Sequence, residues 1–244
     1  MQIKKCLSGV LALAMILNIG SINALAAEGV QPNVSDTQTV SEPETVYVNS
    51  YGLGERSVSF NDHWRFYLGD ANGAEEAVYN DSSWDDVNLP HDYSIDQGFS
   101  TAAPAEQESG YVLGGTGWYR KAFTLSEDMQ GKNISIDFDG VYMNASVYIN
   151  GVQLGTHPYG YTPFSFVLPE DLLKFGGQEN VLAVKVDHKQ PSSRWYSGSG
   201  IYRDVKLTVT DPVHVKRYGT QVTTPDIQKG TGTVEVVAAI QNES

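Results

Sequence analysis

The sequence predicts an all-β protein, and three observations carry that prediction. Several short stretches alternate apolar and polar residues with period two, an Asn-Gly pair separates two of them, and helix signals are scarce. Period two sends successive side chains to opposite faces of a strand. Each stretch therefore reads as an antiparallel strand with one face on a core.

Taken in chain order, Lys4 and Lys5 precede an apolar run over residues 7–19, and small residues follow at Ala24-Leu25-Ala26. This is the pattern of a secretory signal peptide over residues 1–26, with cleavage after Ala26 or Ala27. The run is short for a membrane span and is interrupted by Ser8, Gly9 and Asn18. Cys6, the one cysteine, would leave with the leader, so the exported protein would rest on its core and not on disulfides. Residues 27–45 are rich in Pro, Ser, Thr, Gln and Glu without hydrophobic periodicity, which predicts a disordered linker.

Residues 46–211 have the size of one sandwich domain. The predicted strands include Ile134, Ile136 and Phe138, then Leu182, Val184 and Val186, then Val205, Leu207 and Val209 as their apolar members. Asn150-Gly151 supplies the positive-φ pair of a type I′ hairpin. Gly114-Gly115-Thr116-Gly117 reads as a tight turn entering a strand at 118–123; a phosphate loop would have to open a helix there. Residues 169–174 read as one or two helical turns closed by Gly176. A new strand begins at Val213 and another spans 233–240, so residues 212–244 read as the start of a second sandwich whose edges lack partners.

Lys and Arg number 16 against 29 Asp and Glu, a formal charge of −13 that falls to −15 once Lys4 and Lys5 leave. That balance argues against nucleic acid or an anionic membrane as partner, since both need clustered cations. The five histidines lack metal-ligand spacing, and Asp137-Phe138-Asp139-Gly140 lies inside a strand pattern with Tyr142 where a calcium loop needs glycine. No metal or cofactor is expected. His91-Asp92 invites a catalytic reading, but without a nucleophile turn the simpler expectation is that Asp92 accepts backbone N–H groups after Pro90. The acidic pairs Asp85/Asp86 and Glu106/Glu108 carry no mark of the two carboxyl groups, one acid and one ionised, that glycoside hydrolysis requires.

The densest functional signal is Gln190-Pro191-Ser192-Ser193-Arg194-Trp195-Tyr196-Ser197-Gly198-Ser199-Gly200-Ile201-Tyr202-Arg203-Asp204. Aromatic faces stack on the C–H side of a pyranose, a guanidinium donates paired hydrogen bonds to hydroxyls, and glycine permits close backbone approach. The competing expectation is a packed corner with Trp195 in the core and Arg194 stacked on a ring. Arg203 is assigned to a structural ion pair.

This run resembles the end of the N-terminal domain of family-2 glycoside hydrolases, secreted bacterial β-galactosidases in particular. The resemblance extends in order through Asn88-Leu89-Pro90-His91-Asp92-Tyr93-Ser94-Ile95, Gly114-Gly115-Thr116-Gly117-Trp118-Tyr119-Arg120-Lys121, Phe138-Asp139-Gly140-Val141-Tyr142-Met143 and Val147-Tyr148-Ile149-Asn150-Gly151. It implies a jelly-roll sugar-binding domain at 46–211 and an incomplete immunoglobulin-like domain at 212–244. It implies the N-terminal portion of a retaining exo-glycosidase acting on terminal β-D-galactosides, whose acid/base and nucleophile lie in a TIM barrel that would be the domain's partner. No catalytic residue carries over. Arg194, Trp195, Tyr196 and Asp92 are the implied substrate contacts. A stand-alone carbohydrate-binding module and a β-glucuronidase or β-mannosidase are the alternatives.

Overall fold

The computed structural model describes residues 56–228 and 230–243, together with two strands nearer the N-terminus. Those two are β1 (Leu11–Met15) and β2 (Glu44–Val46). Then follow β3 (Ser57–Ser59), β4 (Trp64–Leu68), β5 (Asp85–Val87), the single-turn helix α1 (Tyr93–Asp96), β6 (Gly115–Leu125) and β7 (Asn133–Phe138). The remaining strands are β8 (Ala145–Ile149), β9 (Val152–His157), β10 (Phe164–Val167), β11 (Glu179–His188), β12 (Val205–Thr210), β13 (Val213–Gln228) and β14 (Thr231–Asn242). Apart from β1 and β2, the expected leader and linker lie outside the described residues.

The unit Ser41–Thr210 is a two-sheet sandwich. One sheet runs β5-β4-β6-β11-β8-β9, with β2 parallel to β6 at its side, and the other runs β10-β7-β12-β3. Apart from that parallel pair the ladders are antiparallel, the all-β sandwich that the alternating pattern predicts and that the resemblance narrows to a jelly roll. The Asn150-Gly151 turn forms as predicted, with φ of 49° and 90°, and joins β8 to β9.

Between the sheets lie Ile134, Ile136 and Phe138 from β7, Leu182, Val184 and Val186 from β11, and Val205, Leu207 and Val209 from β12, with Trp64 and Tyr119. Burial of each large apolar side chain contributes about 1.5–3 kcal/mol. The outer faces of β6 and β11 differ from the half-buried expectation. Ala183 and Trp118 pack there against Ala71, Ala74 and Trp84, because the aperiodic chain between β4 and β5 folds back over the sheet. That cover also buries Arg120, which donates to Asp81 (2.7 Å), to the Glu76 carbonyl (3.0 Å) and to the Ala74 carbonyl.

The second unit contains β13 and β14, paired antiparallel, with β1 on the free edge of β14. A strand edge presents unpaired N–H and C=O groups, and the apolar β1 segment satisfies them along residues 236–240.

Candidate functional site

β11 ends at His188 and β12 begins at Val205, so the run 190–204 forms the crossing between the two sheets of the sandwich. Its closing half is fixed in the core. Ile201 is fully buried, its carbonyl accepts from His91 N (2.8 Å), and Gly200 exchanges two backbone hydrogen bonds with Tyr142 (2.8 and 2.9 Å). Gly200 has φ +119°, and a Cβ there would lie 2.7 Å from the His91 carbonyl and also against Tyr119 Oη. Only glycine fits that crossing.

Asp92 organises the next layer. It is the N-cap of α1, with Oδ1 accepting from Ser94 N (3.0 Å) and Ser199 N (2.8 Å), while Oδ2 accepts the Tyr196 hydroxyl. A short polar side chain with extended backbone is what a helix N-terminus needs, and Asp after Pro90 provides it. Burial, then the Asp92 hydrogen bond and charge, raise the Tyr196 phenol above its ordinary range, so Tyr196 stays a neutral donor. His91 and Asp92 are neighbours in sequence only. His91 Nδ1 meets Tyr119 Oη (2.7 Å) and Nε2 meets Asp96 (3.2 Å), which removes the paired catalytic reading.

The tip of the loop is residues 193–195. Ser193 Oγ accepts from Trp195 N (3.0 Å) and donates to the Trp195 carbonyl (2.9 Å), closing a small turn. Trp195 is 79% exposed and Tyr196 47%, so the packed corner with a core tryptophan does not occur. Arg194 is also exposed and forms no ion pair with a described residue. Arg203 departs from its assignment: its guanidinium lies over the Tyr202 ring (5.2 Å), and Asp204 instead accepts from Asn61 (3.0 Å). The stretch at residues 112–115 packs against the loop's base. Gln190 donates to the Val112 carbonyl (3.0 Å), and a Cβ on Gly114 would stand 2.6 Å from the His188 carbonyl.

Of the four candidate residues, the fold thus joins Asp92 to Tyr196 and sets Arg194 and Trp195 outward beside them. The residues missed from sequence are His188, Ser199, Ser94 and Tyr142. His188 shares the parity of Val184 and Val186, so the alternation placed a histidine on the buried face, and a buried polar ring must find partners. That signal was available.

A family model described as "Glycosyl hydrolases family 2, sugar binding domain" matches residues 56–212, which span the sandwich and the loop. The chain belongs to glycosyl hydrolase family 2. It is similar to a β-galactosidase of Bacteroides ovatus, 47% identical over 191 residues that cover 78% of this chain and 22% of that protein. A putative β-glucuronidase of Formosa agariphila is 42% identical over 184 residues, covering 75% of this chain and 18% of that protein. Among solved structures, a family-2 member from Bacteroides cellulosilyticus superposes with a TM-score of 0.75 at 40% identity, covering 78% of this chain and 25% of that one. The chain therefore spans about a quarter or less of the length of these proteins, the portion holding the sugar-binding domain, and that domain implies carbohydrate as its partner.

Proposed function

We propose that this family-2 chain is the N-terminal portion of a secreted retaining exo-glycosidase that releases terminal β-D-galactosides. Its sandwich supports a catalytic TIM barrel, and the tip of the loop forms part of the sugar pocket wall. The observation that carries the reading is a loop tip bearing Arg194 and Trp195 outward on a base fixed by Asp92, in a chain 47% identical to a β-galactosidase. Arg194 would donate to sugar hydroxyls, and Trp195 and Tyr196 would offer ring faces to the pyranose. The two carboxyl groups that perform hydrolysis in this family would come from the barrel, standing about 5–5.5 Å apart as retention requires. Export rests on the leader-like residues 1–26.

A β-glucuronidase is the second reading, favoured by the 42% identical relative. Full-length enzyme assayed on aryl β-galactosides and aryl β-glucuronides separates the two, and the ratio of kcat/KM decides. The 244-residue chain alone is expected to turn over neither. Arg194→Ala in the complete enzyme should lower kcat/KM by roughly 10- to 150-fold, the loss of one charged hydrogen bond of ~1.5–3 kcal/mol, with Tm nearly unchanged. Full activity in that variant would make Arg194 a bystander. Calorimetry with galactose tests the stand-alone module, which would bind the sugar without a barrel.

A further inference from the structure

The tip at 193–195 stands between two feet. Tyr196 is one, held by Asp92; Ser192 is the other, and its hydroxyl meets His188 Nε2 (2.9 Å) and Tyr142 Oη (3.3 Å). His188 is 3% exposed and edge-on to Tyr142, with ring centroids 4.9 Å apart. Its other nitrogen, Nδ1, meets Ser199 Oγ (2.5 Å), Ser199 Oγ meets Ser94 Oγ (2.5 Å), and Ser94 Oγ meets the Leu113 carbonyl (2.6 Å).

Donor counting gives this chain a single direction. A carbonyl only accepts, so the one proton of Ser94 Oγ points to Leu113. Ser94 Oγ must then accept from Ser199, whose own proton is thereby used, and Ser199 Oγ must accept from His188 Nδ1–H. A neutral ring with its proton on Nδ1 presents Nε2 as an acceptor, and the Ser192 hydroxyl donates to it. The Asp92 and Asp187 charges that face the ring favour protonation, but burial outweighs them and holds the imidazole below its ordinary range.

We propose that His188, neutral and protonated on Nδ1, is the positioning residue of the sugar-facing loop, fixing the Ser192 foot through Nε2 while Nδ1 locks Ser199 to α1 and the 112–115 stretch. This rests on the reading that the tip lines a sugar pocket, but the positioning itself is measurable without sugar.

Long-range 1H–15N correlation on the 244-residue chain reads the tautomer directly. Nδ1–H with a bare Nε2 is expected; a proton on Nε2 instead overturns the proposal. Ser192→Ala removes the Nε2 arm together with the 3.3 Å contact to Tyr142 and leaves the Nδ1 arm in place; the residue is exposed, so the fold should survive, and 15N relaxation of the 193–195 amides should then show faster motion than in the parent while Ser199 stays rigid. Unchanged relaxation overturns it. His188→Asn keeps a donor on the δ side and should mobilise the tip as Ser192→Ala does without loosening Ser199, whereas His188→Ala should loosen both the Ser192 foot and Ser199. Equal behaviour of Asn and Ala counts against the directed chain. In full-length enzyme, Ser192→Ala should lower kcat/KM by roughly ten- to a hundredfold, the scale of a misplaced positioning group. A freed tip with full activity would uphold the positioning and overturn the pocket reading instead.

Discussion

Replacing Asp92 separates an anchor from a substrate contact. In Asp92→Ala the N-cap of α1 loses its acceptor, which costs ~1 kcal/mol, and the Ser199 N–H and Tyr196 O–H lose a carboxylate, each bond being worth ~1.5–3 kcal/mol. Asp92 is only half-buried and both bonds hold one loop, so the lower figures apply and do not add fully. The total is ~3–4 kcal/mol, or about 6–16 °C in Tm for a unit of this size. Asp92→Asn keeps an oxygen for Ser94 N and Ser199 N and turns only the Tyr196 contact from donor to acceptor. It should cost ~1 kcal/mol, about 2–4 °C. Thermal unfolding followed by circular dichroism on the 244-residue chain measures both. An alanine variant melting within about 2 °C of the parent, or an asparagine variant as unstable as alanine, would show that Asp92 does not anchor the loop.

Gly200→Ala forces a Cβ against the His91 carbonyl and Tyr119 at φ +119°, so it should lose more than ~1 kcal/mol in chemical denaturation; a parent-like midpoint would mean that the crossing adapts. His91 and His188 are both lowered, by burial first, so the unfolded chain binds more protons once pH falls below their ordinary value near 6.5. Stability should be level above that pH and decline below it toward the depressed folded values, and urea unfolding at pH 7.5 and 5.5 giving equal free energies would contradict this. Arg120→Met should cost ~3–5 kcal/mol, because Asp81 and the Ala74 and Glu76 carbonyls lose their buried donor, and calorimetric unfolding with little change in Tm would show that water replaces the guanidinium.

Much of the fold was legible because strand burial is written with period two. The apolar members of β7, β11 and β12 all face the core, and Asn150-Gly151 turns where positive φ demands it. The strand through Trp118 was legible too, although it begins at Gly115, inside the stretch read as a turn, and the loop rich in Arg, Trp, Tyr and Gly stood out by residue type alone. The outer cover of β6 was not, since residues 69–84 have no period and bury Arg120 only through contacts far away in sequence. The single turn α1 was missed because four residues carry too little pattern, and its N-cap was visible only as an Asp following Pro90.

The sequence by itself determined which loop gathers Arg, Trp, Tyr and Gly and which side chains could form a core. Only the tertiary structure decided that Asp92, over a hundred residues away, holds Tyr196 and Ser199, and that His91 turns from Asp92 to Asp96. It likewise turned Arg203 from an ion pair to the Tyr202 ring and brought His188, Ser199 and Ser94 into one chain of hydrogen bonds. Periodicity reports which face of a strand is dry. A hydrogen bond between distant segments depends on register and crossing, which are set only when the two sheets close on one another.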